Sequence, residues 1–439
     1  MKKKYLIFAF LISLIFYACS GKEEIEKIPE VGDYYEPNKP IAFEAMFPSW
    51  GRIDQTFVIK GNFPKDTAQI KVYFDKKRAV VINCDGRELY GMVPKQAPGY
   101  NSVSLVVGKD SIVPDNVRFK YYQTQSVKTV VGKFEDDRYI EGNLDEARVQ
   151  NVTGIGVVKG QKGDNIILVE GDWGDRTSFV SFDDNMMMRL TNISYMGAIA
   201  VDHTKEKACV IRRDGTRMLY TATREDGWTL NPTGIEIDGN MLPGSLHGGM
   251  TYAEDDRYLY LMSEGTMVEV DLVNKEVKKL FTKNDHAAFN GVNLGSWWQY
   301  LIYSKYHKCF FVSYADANGI FKVYKDGSGV WHVEKYAGFN SGGTAFGDKL
   351  LDAVFRAPCG MAVNSEGEIY VCCKDGHCIV KIRGSLVSLV AGHPDQWGKV
   401  NGYPLDAYFD QPKSIAIDSE DNFYVGEGAS RVVRKLTIE

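Results

Sequence analysis

The residues able to do chemistry are scattered rather than gathered into a motif. The histidines stand at 203, 247, 286, 307, 332, 377 and 393, and no pair has the spacing that sets two imidazoles on one helix face for a metal. No Gly-x-Ser-x-Gly elbow, Walker loop or His-Glu-x-x-His occurs, so serine hydrolysis, nucleotide binding and zinc proteolysis have no motif behind them. Cys359, Cys372, Cys373 and Cys378 cluster in the chain, but without the two-pair spacing of a zinc site. They read as buried thiols, because Cys behaves in a core as a small apolar residue, while one disulfide among Cys359, Cys373 and Cys378 stays open. Asp136-Asp137 and Asp183-Asp184 read as turns, which favour Asp, rather than as acid–base pairs. No catalytic residue, metal or cofactor is assigned.

A stronger signal lies in aromatic and polar residues set in loop-like stretches: Trp173, Trp297, Trp397 and Tyr403, with His247, Arg356, Asp395 and Arg431. Asn290, Asn293, Phe339 and Asn340 share those stretches. Sugar recognition uses such a set, since an aromatic face takes the apolar face of a sugar ring and polar side chains take its hydroxyls. The alternative for any one of these aromatics is packing between structural elements.

Whether these residues converge depends on what carries them. The chain has 439 residues, about three times the ~150 of a typical domain, which predicts two domains or one large repeat architecture. With 44% hydrophobic and 25% charged residues it is neither a mostly disordered chain nor a multi-span membrane protein. Gly 43, Tyr 25, Phe 22 and Trp 7 suit many short strands joined by tight turns, so the fold class is all-β. A net charge of −5, with no long basic block, excludes a general nucleic-acid binder.

Lys2-Lys3-Lys4 precedes an apolar run from Tyr5 to Ala18, the pattern of a secretory signal too short to cross a bilayer comfortably. The run ends Phe16-Tyr17-Ala18-Cys19 and resembles a bacterial lipobox, which implies cleavage before Cys19 and its lipidation. Acyl chains on Cys19 would hold a soluble protein on a membrane. Ser20-Gly21-Lys22-Glu23-Glu24 is similar to the export tag by which glycan-foraging gut bacteria send lipoproteins to the outer face of the outer membrane. Residues 1–19 are thus the signal peptide and 20–40 a flexible linker. With Cys19 in lipid, an odd number of cysteines remains, a poor disulfide framework.

Residues 41–122 alternate short apolar strands with turn clusters, as in Phe57-Val58-Ile59 and Val103-Ser104-Leu105-Val106-Val107, and predict an immunoglobulin-like β-sandwich. Pro48, Gly51, Ile59, Gly61, Asn62 and Phe63, with Val93-Pro94, resemble the IPT/TIG family, departing at Asp54 where many members have a second Gly. That resemblance implies a spacer or interaction module without chemistry.

Residues 123–439 contain a repeat. The stretch from Ala353 through Pro358 and Gly360 to Val371 recurs at one constant offset from Ala407 through Pro412 and Ser414 to Val425, while Gly132, Gly142 and Ala147 recur as Gly392, Gly402 and Ala407. These residues resemble the NHL repeat. Weaker openings at Gly154, Gly197, Gly249 and Trp298 complete a six-bladed β-propeller. The last blade lacks a fourth strand, and Val127–Gly132 is of the right type to supply it and close the ring. In that architecture the aromatic and polar loop residues share one face.

The whole resembles accessory surface lipoproteins of starch-utilisation-type import systems. The resemblance implies a non-enzymatic protein on the outer membrane, facing the exterior, that binds a glycan and serves an outer-membrane importer complex. A protein- or peptide-binding scaffold docking onto an importer is the alternative, and a propeller lyase or hydrolase a third reading.

Overall fold

A computed structural model describes residues 36–438 apart from 37, 54, 95, 97, 98, 123, 124, 172–175, 192, 214, 216 and 296. The signal peptide, Cys19 and most of the linker lie outside the described residues, as does Trp173. The chain separates into two compact units that divide after residue 123, and each is described by itself.

The first unit is a sandwich of two sheets. One sheet orders Ala42–Phe47, Thr56–Asn62, Glu88–Met92 and Val80–Cys84; the other orders Trp50–Gly51, Arg118–Tyr121, Gly99–Val107, Ile70–Phe74 and Lys77–Arg78, with Asp110–Ile112 added to the third of these. Inward residues alternate with outward ones, as period-2 strands require, and Phe57, Phe74 and Phe119 meet in the core with ring centroids 5.3 and 5.1 Å apart. The family-like residues have local reasons to be there. A side chain at Gly61 would collide with the Ala42 carbonyl oxygen on the neighbouring strand. The Asn62 side chain accepts from the Glu36 amide at 2.9 Å and donates to the Pro40 carbonyl at 3.0 Å, fixing the chain's entry, and Phe63 is fully buried.

Among the described residues the second unit holds six antiparallel sheets, each a blade of four strands, two of them with a short fifth strand at the outer edge. The innermost strands are Val152–Lys159, Met196–Val201, Met250–Tyr252, Gln299–Ser304, Pro358–Val363 and Pro412–Ile417. Each packs on the next and the last returns to the first, so the blades form a closed ring. Gln125–Gly132 pairs antiparallel with Val432–Ile438, the third strand of the last blade, so the first strand of the unit completes its final sheet.

The repeated glycines and alanines mark one loop built three times. Before the first, fifth and sixth blades the chain runs out to the rim, where Gly142, Gly347 and Gly402 reach the outermost strand of the coming blade. All three have positive φ, at 116°, 121° and 142°, a conformation in which a Cβ is strained. The chain then turns back over Ala147, Ala353 and Ala407, which are fully buried.

On the opposite face, the turns between first and second strands are tied from blade to blade. Asp164 of the first blade accepts from Lys205 of the second at 2.8 Å and from the Ser419 amide and hydroxyl of the sixth at 2.7 and 2.8 Å. His203 of the second blade meets Asp256 of the third at 2.6 Å, and the Ser365 hydroxyl of the fifth donates to Asp421 of the sixth at 3.0 Å.

Candidate functional site

The face carrying the N-terminal ends of the inner strands includes the loop between Glu276–Phe281 and Gln299–Ser304, which joins the third blade to the fourth. Two single-turn 3-10 helices, Lys283–Asp285 and Ala287–Phe289, stiffen it. The Asp285 carboxylate accepts from the Thr282 amide at 2.7 Å and from its hydroxyl at 2.8 Å, which pins the first turn. Phe289 is buried against Phe321, centroids 4.9 Å apart, and Leu294 is buried beside it. Held at those points, the loop walls a cleft of about 510 Å³ lined by Glu264, Lys283, Asn290, Asn293 and Leu294 among others. Amide side chains both donate and accept, which matches hydroxyl-rich ligands better than a set of one sign.

The same loop runs on into Trp297 and Trp298. His247, fully buried at the end of the preceding interblade loop, lies under both: its ring is 5.5 Å from Trp297 at an interplanar angle of 26° and 4.5 Å from Trp298 at 42°. Trp297 keeps 54% of its surface exposed, so one ring rests on the imidazole while much of the indole faces solvent. Lys413 of the sixth blade sets its ammonium 4.5 Å from the centre of the Trp298 ring and donates to the Asn151 side chain at 2.9 Å. Side chains of the first, third, fourth and sixth blades therefore meet at the mouth of the central channel. Just below, Tyr300 of the fourth blade packs on Gly248 of the third, where any side chain would collide with its ring, and its hydroxyl donates to the Thr153 carbonyl of the first at 3.0 Å. The channel is thus bridged across its diameter.

The other residues singled out in the sequence have separate places. Arg356 and Asp395 form an ion pair at 3.1 Å, and the Thr344 amide and hydroxyl donate to the same carboxylate at 2.9 and 2.7 Å. Burial would raise the Asp395 carboxyl, but those donors and Arg356 hold it below its ordinary value. The group ties two interblade loops to one another. Arg431 lies 3.6 Å from Asp137. Trp397 and Tyr403 are exposed, but Tyr403 follows Gly402, whose backbone pairs with Val127 of an outermost strand, so it sits at the rim and not at the channel mouth. Phe339 turns inward and packs edge-on against Phe321, centroids 4.8 Å apart. The structure thus joins His247 to Trp297 and Arg356 to Asp395, and sets Tyr403 apart from both.

Two participants escaped the sequence reading. Trp298 read as a strand opening, although a Trp-Trp pair ahead of an inner strand was a usable signal. Lys413 is almost fully buried in a strand, and nothing in its neighbours marks a lysine that stacks on an indole two blades of chain away.

Two buried carboxylates recur at one blade position. Glu170 accepts from the Gln150 amide at 2.6 Å and Glu427 from the Asp410 amide at 2.7 Å, each holding the loop that enters its own blade. Burial pushes Glu427 up to about 7, with Arg434, at 3.0 Å and itself fully buried, pulling the other way. All seven described cysteines are buried and free, so no disulfide joins Cys359, Cys373 and Cys378. Burial raises the Cys359 thiol to about 12, which makes it a poor nucleophile. Among the described residues no three His, Cys, Asp or Glu side chains converge as metal ligands.

Residues 42–121 match the IPT/TIG domain. That part of the chain is an IPT/TIG domain. No curated protein matches the sequence. Among solved structures, a Bacteroides thetaiotaomicron protein of unknown function is 26% identical and superposes with a TM-score of 0.79, over 93% of this chain and 100% of that one. An auxiliary nutrient binding protein from Bacteroides ovatus is 20% identical with a TM-score of 0.58, covering 93% and 100%, and one from Bacteroides thetaiotaomicron is 19% identical with a TM-score of 0.58, covering 92% and 99%. These likenesses extend over both units, so the fold of the whole chain, sandwich followed by β-propeller, is shared.

Proposed function

We propose that the protein is a lipoprotein anchored through Cys19 on the outer membrane, facing the cell exterior, where it binds a glycan on the propeller face and assists a polysaccharide importer. The observation that carries the glycan reading is Trp297: a half-exposed indole backed by the His247 ring, carried by the loop that also walls a cleft including Asn290 and Asn293. A braced aromatic ring loses little freedom when a sugar stacks on it, and the amides in the cleft of the same loop supply hydroxyl partners in both senses. The nutrient-binding names of two structural relatives support an uptake role, and the lipobox-like end and export tag support the address. The use of Glu170 and Glu427 as loop clamps supports a reading of binding rather than catalysis.

The test is retention of the soluble chain, from residue 20 onward, on a panel of plant, host and microbial polysaccharides, with analysis for released sugars. One glycan class is retained and not cleaved, and Trp297→Ala weakens it by about 2 kcal/mol, roughly thirtyfold. Retention that is indifferent to Trp297→Ala, or release of products, overturns this reading.

A further inference from the structure

The sandwich presents a face of its own. Along Gly99–Val107 the side chains of Tyr100, Ser102 and Ser104 point outward while Asn101, Val103 and Leu105 point into the core. The register puts Trp50 and Tyr100 on either side of Lys120, one row across three strands. Tyr100 is 69% exposed and Tyr122, two residues beyond Lys120, is 46% exposed. The Lys120 ammonium lies 5.9 Å from the centre of the Tyr100 ring and 5.0 Å from that of Tyr122, which itself meets Trp50 edge-on at 5.8 Å.

The rows alongside carry further cations. Arg118 stands opposite Ser102, Arg78 opposite Tyr73, and Lys71 opposite Val106, all on the outer face. Lys71, Arg78 and Arg118 are exposed, and among the described residues none of the three is in an ion pair. Asp75, at the turn on this side, is engaged, accepting from the Ser102 amide at 2.9 Å, while Asp110 is exposed at the edge strand of the same sheet. In a chain whose net charge is −5, one sheet face thus gathers four cations and four aromatic rings, with serine hydroxyls between them.

We propose that this face binds an acidic polysaccharide, one bearing carboxylate or sulfate groups. The unpaired cations supply charge complementarity, and exposed tyrosines interleaved with them supply ring faces for sugars. An open sheet has no walls, which suits an extended polymer lying across strands ~4.8 Å apart rather than a small enclosed ligand. This site is independent of the propeller face.

Affinity electrophoresis of the chain from residue 20 onward, in gels containing polygalacturonate, alginate or chondroitin sulfate, tests it. At least one polymer retards the protein, the retardation weakens as salt is raised, and the fully methyl-esterified polygalacturonate loses whatever its acid form gives. The double substitution Lys71→Ala, Arg118→Ala weakens binding about tenfold, Tyr100→Ala weakens it as well, and the charge-matched control Lys305→Ala, Lys308→Ala does not. No retardation by any of the three polymers, or equal retardation of the double variant, overturns the proposal. Retention on phosphatidylglycerol vesicles that the double variant loses, without retardation by any polymer, assigns the face to anionic lipid instead and also overturns it.

Discussion

Arg434 shows how far a single buried side chain can govern a blade. Its guanidinium donates to Glu427 at 3.0 Å and to the carbonyls of Val400 and Tyr408 at 2.7 and 3.3 Å, so one residue of the last blade holds the carboxylate clamp and the entering loop together. Arg434→Met keeps the length and removes the charge, leaving Glu427 and two carbonyls without that partner; the expected cost is about 3–5 kcal/mol by urea denaturation. The sign of its pH dependence follows from Glu427. Its folded value already lies above the ordinary 4.5, and losing Arg434 raises it further. The folded state then holds a proton that the unfolded chain has released, so the variant's deficit is larger at pH 8 than at pH 5. A deficit equal at both values would show that Glu427 does not carry the effect. None of this was legible in the sequence, where Glu427 and Arg434 are ordinary residues of a strand pattern, because burial and partner choice come from packing between loops far apart in the chain.

At the scale of elements the sequence was more informative. The constant offset from Pro358 to Pro412 marks two inner strands, and the recurrence of Gly142 and Ala147 as Gly402 and Ala407 marks the loop that reaches the rim and returns. Those residues repeat because positive φ and a buried small side chain are local demands, which leave a trace in composition. The 282–298 loop showed its Asn and Trp residues but not its shape: its 3-10 turns and its cleft depend on Phe289 and Leu294 finding a neighbour blade, and no repeat or periodicity encodes that. The strand Gln125–Gly132 was readable as the missing edge of the last sheet, and it carries a test. Val127 is fully buried in that blade, so Val127→Asp places a charge in its core. The expected result is a loss of about 3 kcal/mol or more, with hydrogen exchange rising first in Val432–Ile438, its pairing partner. Uniform acceleration over all blades would mean that this strand is not the weak point of the ring.

At the scale of the whole molecule, ties between blade turns join each linked blade to another. Asp164 links the first, second and sixth blades, spanning the place where the ring is closed by strands from its two ends. Burial alone would raise this carboxyl, but Lys205 and Ser419 outweigh it and hold the group below its ordinary 3.8. A carboxyl lowered in the folded state contributes stability above its unfolded value and loses it as the pH falls through the folded one. Melting temperatures should therefore drop as the pH is taken below about 4, and Asp164→Asn should melt lower at neutral pH and lose part of that acid dependence. Parallel pH profiles for the two proteins would exclude Asp164 as a contributor.

The Tyr300 hydroxyl on the Thr153 carbonyl has a further bearing on what such a ring can hold. An obstructed bore admits no thread. On the proposed glycan reading, a polymer held on the propeller face would rest on the outside of the ring and would not be threaded through it. That reading then predicts that binding needs no free chain end, so that long uncut chains and fragments should retain the protein alike on the same affinity gel.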